Sequence, residues 1–251
     1  MKAVILAAGT SSRLRPLTDD LPKCLLDVGG STLLGRAVET LQGRGVTDLV
    51  LVTGFKEEAI RRYMAAEFPR SRVEFVSNER YLTTNNIASL WLTRPLVEPG
   101  ELLLLDSDIL FDGRIIDALL GSPHQDRLAV TTRRPLGEEE IKVRVDPQGF
   151  VVEIGKRVDP RGALGESIGI ELFSRDFVRE LFVELERMVE QERQVGVFYE
   201  AAFQRLIDGG RKLFAVDVAE LPCMEIDTPE DLEAARRIAA DLNSAQESSA
   251  P

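Results

Sequence analysis

Short apolar runs alternate with amphipathic stretches along most of the chain. Residues 2–6 (KAVIL) are continuously aliphatic, the pattern of a strand covered on both faces of a sheet. Residues 32–43 carry Leu33, Leu34, Ala37, Val38 and Leu41 at helical spacing, and Gly43 and Gly45 end the helix they predict. Residues 48–53 (DLVLVT) repeat the buried-strand pattern, residues 56–68 predict a helix stopped by Pro69, and residues 72–77 predict a third strand. A fourth, residues 101–105, runs straight into Asp106-Ser107-Asp108. This β-α-β-α-β order predicts an α/β fold with a mostly parallel sheet and helices on both faces.

The second half changes character. Residues 142–146 and 150–154 alternate apolar and polar side chains around Pro147-Gln148-Gly149, which reads as a hairpin. A strand at 167–173, a long helix from 176 to about 194, a shorter helix at 199–208 and a strand at 214–218 are expected to follow. Thr228-Pro229-Glu230-Asp231 opens a last helix, with an N-cap Thr, Pro in its first turn and acids facing the positive end of the dipole. Residues 243–251 are small and polar and are expected to fray. With no internal repeat and no Pro/Ser-rich linker, residues 1–240 read as one domain and 241–251 as a flexible tail.

Charge narrows the partners. Forty-two acids against 31 bases leave a net charge of −11, which argues against sequence-independent nucleic-acid binding, since that needs a basic face. Two distant cysteines, Cys24 and Cys223, and a single histidine, His124, all but exclude a structural zinc site. His124 sits in a turn and reads as a loop residue, and both cysteines read as small buried hydrophobes. The apolar run at the N-terminus is too short for a signal peptide and no stretch of 18 apolar residues occurs, so a cytoplasmic protein free of the membrane is expected.

The first strand leads into Leu6-Ala7-Ala8-Gly9-Thr10-Ser11-Ser12-Arg13-Leu14-Arg15-Pro16-Leu17-Thr18, followed by Pro22-Lys23. Small residues at a strand end leave backbone N–H groups open to an anion, Arg13 can fork onto phosphate oxygens, and Lys23 adds a compact charge. Taken alone, the same residues also suit an ordinary polar loop. Neither GxGxxG nor GxxxxGK[ST] is present. Asp108, at the carboxyl edge of a buried strand, and Asp227, ahead of a helix, are two carboxylates of the kind Mg²⁺ prefers. Asp106 is expected to face solvent or to hold the turn.

The pattern LAAGxxxRLxPLT…PK resembles the signature loop of the nucleoside-triphosphate transferases, with Ser11 where that family often has Gly. Leu102–Leu105 before Asp106-Ser107-Asp108 resembles the strand whose terminal Asp binds the metal, and Met224-Glu225-Ile226-Asp227-Thr228-Pro229-Glu230-Asp231-Leu232 resembles the segment supplying a second carboxylate. Asn85-Asn86-Ile87-Ala88-Ser89-Leu90 is similar to a segment of phosphocholine-type cytidylyltransferases. The resemblance covers residues 1 to about 238 and implies the Rossmann-like, mostly parallel mixed sheet of nucleotide-diphospho-sugar transferases. It divides the domain into a nucleotide-binding half, about 1–110, and an acceptor-binding half, about 111–240.

By this resemblance, Leu6, Ala7, Ala8, Gly9, Thr10, Ser11, Ser12, Asn85, Asn86 and Ser89 bind the nucleotide, Arg13 and Lys23 are catalytic, and Asp108 and Asp227 hold Mg²⁺. Lys142, Lys156, Glu166, Tyr199 and Glu200 fall where related enzymes contact the acceptor. The implied reaction moves a nucleotidyl group, most simply cytidylyl from CTP, onto a small phosphorylated alcohol or phosphonate. Carboxylates at Glu166 and Glu200 suit an acceptor bearing a positive amine, and aromatics for a quaternary ammonium cage are few. The alternatives are a sugar-1-phosphate nucleotidyltransferase and, more remotely, a non-catalytic nucleotide-binding module.

Overall fold

A computed structural model describes residues 1–133 and 136–247. In chain order the elements are β1 (Lys2–Ala7), α1 (Leu33–Gln42), β2 (Asp48–Thr53), α2 (Glu57–Glu67), β3 (Arg72–Ser77), α3 (Asn86–Leu92), α4 (Arg94–Val97), β4 (Leu102–Asp106), β5 (Ile109–Phe111), α5 (Arg114–Gly121), β6 (Arg127–Thr131), β7 (Lys142–Val145), β8 (Val151–Gly155), β9 (Gly165–Phe173), α6 (Arg175–Glu186), α7 (Glu200–Asp208), β10 (Phe214–Asp217), β11 (Cys223–Glu225) and α8 (Pro229–Glu247).

The main sheet runs β10-β6-β9-β4-β1-β2-β3. β1, β2, β3 and β4 are mutually parallel, as are β6 and β10, while β9 lies antiparallel between β4 and β6. The sheet is therefore mixed and mostly parallel, as expected. β7 and β8 form the predicted hairpin, joined to β9 through β7. Alternation along each central strand divides its side chains between two cores. Val4, Val50 and Leu104 meet α3, α6 and α7 on one face, and Ile5, Leu51 and Leu105 meet α1, α2 and α5 on the other.

Local chemistry sets several ends. The Thr32 side chain accepts from Gly35 N at 2.9 Å to cap α1, and Ser174 caps α6 by accepting from Phe177 N. The helix expected to reach residue 194 stops sooner: α6 ends at Glu186 and one wider, π-type turn follows at Arg187–Gln191. α8 seats Leu232, Ala235 and Ala239 on Leu14, Val28 and Ile226, a third core that ties the first loop to the last helix.

The expectation of fraying from residue 243 is corrected for 243–247, which continue α8. The Asn243 carboxamide accepts from Arg36 Nη1 at 3.0 Å and donates to Gly29 O at 3.1 Å, so long-range bonds hold that turn. The rest of the expected tail, 248–251, lies outside the described residues. No helix among the described residues is long and apolar enough to cross a membrane.

Candidate active site

β1 delivers the small-residue loop to the carboxyl edge of the sheet. Ser11 stands in the left-handed region at φ 49°, which explains why Gly suits this position. Its carbonyl accepts from Thr18 Oγ1 at 2.8 Å and from Leu14 N at 3.1 Å, and these bonds hold the turn closed. A buried single turn, Lys23–Leu25, then brings Lys23 inward to 6% exposure.

Two distant segments meet here because β5 and β11 pair antiparallel, Ile109 opposite Glu225, with Ile226 N donating to Asp108 O at 3.0 Å. That pairing places Asp108 beside Asp227. Lys23 Nζ lies 2.9 Å from Asp108 Oδ2 and 2.7 Å from Asp227 Oδ1, and Arg13 Nη2 lies 2.6 Å from Asp227 Oδ2. The Asp227 backbone is held from the other side: Asp231 Oδ2 accepts from Asp227 N, Thr228 N and Thr228 Oγ1 at 3.1, 2.8 and 2.8 Å. Thr228 Oγ1 accepts in return from Asp231 N at 3.2 Å, a reciprocal cap on α8.

Glu225 is a third carboxylate that the sequence reading did not assign. One oxygen each of Asp108, Glu225 and Asp227 lie within 4.8 Å of one another, the one such group among the described residues. Glu225 is exposed as a residue, but its carboxyl crowds against Asp108 and Asp227; desolvation there and those two charges lift it to about 8, opposed by Lys23. Burial would raise Asp227 too, but Lys23 and Arg13 outweigh it and hold this carboxyl below its usual range. Lys23 is raised in turn, because Asp108 and Asp227 outweigh the cost of burying its ammonium. With Lys23 and Arg13 beside them, Asp108, Asp227 and Glu225 present a hard oxygen donor set that fits a divalent ion.

These groups line a cavity of about 590 Å³. Residues 6–13, Lys23, Asn85, Asn86, Ser89, Asp108 and Asp227 all line it, as do Lys156, Glu166 and Glu200 from the second half. The Asn85 carboxamide oxygen accepts from Asn86 N at 2.7 Å and that of Asn86 from Tyr199 N at 2.9 Å, so both oxygens brace backbone. Asn78, missed by the sequence reading, donates to Thr84 Oγ1 at 3.1 Å and Ser89 Oγ at 3.0 Å from the end of β3. Its place at the same sheet edge as Gly9 and Asp108 is the signal that would have found it.

Three expectations change. Tyr199 is fully buried, off the cavity wall, and its hydroxyl donates to Asp106 Oδ2 at 3.1 Å. Asp106 is therefore half-buried on the cavity wall and tied to the core, with desolvation and the charges of Asp108 and Glu200 raising its pKa well above the usual range. Lys142 is 1% exposed and off the wall as well, its ammonium donating to Gly137 O at 2.8 Å and Glu140 O at 3.1 Å. It braces the loop before β7 instead of reaching a ligand.

Glu200, at the start of α7, is 4% exposed and its Oε2 has no partner. Burial lifts its carboxyl from 4.5 to about 7, against smaller opposing effects of its own backbone N–H and Lys156. Between those values the folded chain holds a proton that the unfolded chain has lost, so stability falls as pH rises through that window. Glu200→Gln is expected to match the wild type near pH 4 and to exceed it at pH 8 by about 1–3 kcal/mol in urea unfolding. A variant less stable than the wild type at pH 8 would show that the carboxylate is compensated in the fold.

Comparison with known proteins agrees with this architecture. The chain is 30% identical over 239 residues to the CMP-5'-(3-aminopropyl)phosphonate synthase of Streptomyces rubellomurinus, 92% of this chain but only 37% of that protein's length. It is 24% identical to the CTP:phosphoglutamine cytidylyltransferase of Campylobacter jejuni, over 93% of this chain and 98% of that one. Its fold matches the CTP:phosphocholine cytidylyltransferase of Streptococcus pneumoniae with TM-score 0.77 and 20% identity, covering 95% of this chain and 98% of that one. It matches the inositol-1-phosphate CTP transferase of T. maritima with TM-score 0.81 and 23% identity, over 96% and 95% of the two chains. A family model described as the MobA-like NTP transferase domain matches residues 3–201, the span that carries the loop, Lys23, Asp108 and Glu200, and the chain belongs to that family.

Proposed function

We propose that this chain transfers a cytidylyl group from CTP to a small phosphate or phosphonate acceptor bearing an amine, and releases pyrophosphate. The observation that carries the reading is the single cavity. The small-residue loop, Arg13, Lys23 and the carboxylate cluster line it together with Glu200, Glu166 and Lys156. A triphosphate on the first set and an acceptor on the second would share one space. On this reading the nucleotide lies chiefly on a half of about 1–110 and the acceptor on a half of about 111–240, with Glu225 and Asp227 reaching across to Asp108.

An oxygen of the acceptor's phosphate or phosphonate attacks the α-phosphorus. A new P–O bond forms, the bond to the bridging oxygen breaks, and the electron pair leaves with pyrophosphate. The nucleophile is already an oxyanion, so no general base is needed. Residues 8–12 offer backbone N–H groups to the phosphates, while Arg13 and Lys23 neutralise charge as it shifts toward the leaving group. Asp108 and Asp227, with Glu225 beside them, would hold Mg²⁺, whose chemistry here is Lewis-acid polarisation of the phosphate oxygens. Ser89, Asn85 and Asn86 form the wall toward the base, and CTP is favoured by the cytidylyltransferases among the relatives.

Glu200, buried and with its Oε2 unpartnered, supplies the negative charge for the acceptor's amine, and Glu166 lines the same cavity. Tyr199 and Lys142 support that wall from behind. Since the ionised form of Glu200 is the one a cation needs, KM for an amine acceptor should fall as pH rises through about 7. Glu200→Gln should raise that KM about tenfold and leave KM for CTP within about twofold. The deciding assay crosses the four common NTPs with phosphocholine, 2-aminoethylphosphonate, inositol 1-phosphate and glucose 1-phosphate, read by pyrophosphate release. Turnover with CTP and an amine acceptor above all other pairs is expected. A higher rate with glucose 1-phosphate would promote the sugar-nucleotide reading, and no release with any pair would leave a binding module.

A further inference from the structure

The carboxylates assigned to the divalent ion already have cations against them. Lys23 Nζ bridges Asp108 Oδ2 and Asp227 Oδ1 at 2.9 and 2.7 Å, and Arg13 Nη2 takes the second oxygen of Asp227 at 2.6 Å. Both oxygens of Asp227 and one of Asp108 are thus engaged by the chain itself. The backbone under Lys23 is a single turn held by Leu25 N donating to Pro22 O and Leu26 N to Lys23 O. The site therefore does not open by moving that turn cheaply; the side chain has to swing.

A divalent ion on the same oxygens would share them with a buried ammonium at contact distance, where water screens the repulsion poorly. Leaving the ammonium where it stands costs Coulomb energy, and moving it away without a new anion strands a charge in a site only 6% exposed. A triphosphate removes both costs. Lys23 and Arg13 line the same cavity as the open amides of residues 8–12, so phosphate oxygens bound there are within the sweep of both side chains.

We infer that Lys23 and Arg13 are resident counter-ions that compete with the divalent cation for Asp108 and Asp227, and that triphosphate binding releases these carboxylates by drawing both side chains away. The inference rests on the proposed metal site and adds a coupling between cation and nucleotide to it. Cation and nucleotide become thermodynamically coupled: each must strengthen the other's binding by the same factor.

The test reads binding without turnover. Mn²⁺ is titrated into the full chain with no nucleotide, with free ion followed by its EPR signal, for the wild type, Lys23→Met and Arg13→Met. Lys23→Met is expected to bind one Mn²⁺ about tenfold more tightly than the wild type, and Arg13→Met about threefold more tightly, because each removes one competing charge. CTP without acceptor, corrected against a protein-free titration, is expected to tighten Mn²⁺ in the wild type about tenfold or more and to tighten Lys23→Met less.

Equal Mn²⁺ affinity in the wild type and both variants overturns the inference, as does a wild-type affinity that CTP leaves unchanged; either result spares the metal site itself. Should Lys23→Met lack a cooperative unfolding transition, Arg13→Met decides, since Arg13 is 60% exposed on a loop, and no gain in that variant overturns the inference. No Mn²⁺ binding in any of the three proteins, even with CTP, overturns the inference together with the metal assignment beneath it.

Discussion

Asp227→Asn and Asp108→Asn are each expected to lower kcat by about a thousandfold or more while the chain still folds. Asparagine keeps the shape of the side chain and removes the charge, so a hard cation loses a carboxylate ligand. The backbone N–H at position 227 donates to Asp231 Oδ2 at 3.1 Å, a bond that survives the substitution, and Asp108 remains as an anion for Lys23. Asp108 likewise contributes its carbonyl, which accepts from Ile226 N at 3.0 Å, to the meeting of β5 and β11. Pyrophosphate release measured beside thermal unfolding separates the two effects. Wild-type turnover in either variant would remove that residue from the reacting site.

Lys23→Met is expected to lower kcat about a hundredfold or more, with a much smaller change in KM for CTP. The ammonium is compact and buried beside the phosphate loop, and charge on the phosphates shifts as the α-phosphorus is attacked. Methionine fills similar volume, so the loss reports charge and not packing. The same variant should lose turnover and gain affinity for the divalent cation, an opposition that a general folding defect would not produce. A change confined to KM would make Lys23 a uniform binding contact and withdraw its role in the transition state.

Much of the nucleotide end was legible because it is local. The strand at 2–6, the loop after it and Lys23 lie within two dozen residues, and the aliphatic run dictates that the loop emerges at a sheet edge. The left-handed Ser11 follows the same logic: a family Gly at that position signals a backbone requirement, and the structure places Ser11 at φ 49°. Glu225 could have been found as well, since it is a second carboxylate two residues before Asp227 in the same short segment. The acceptor end was legible only as a set of candidates. Sequence spacing gives Tyr199 and Glu200 equal standing, yet the start of α7 turns one into the core beside Asp106 and the other onto the cavity wall.

By itself the sequence determined the α/β class, the parallel strands β1, β2 and β4, the phosphate-facing loop and the two aspartates. Each of these rests on short-range periodicity or on residue chemistry at a strand end, which hydrophobic burial enforces wherever the rest of the chain goes. Tertiary structure alone decided that β9 runs antiparallel through the sheet, that β11 pairs with β5 to bring Glu225 and Asp227 to Asp108, and that Lys142 and Tyr199 are sealed behind the wall. The chief of those outcomes depend on contacts between residues far apart in chain order, such as Leu105 with Ile170, Asp108 with Asp227 and Asp106 with Tyr199. No local pattern encodes them, because the free energy that selects them arises only once both segments are buried against a common core.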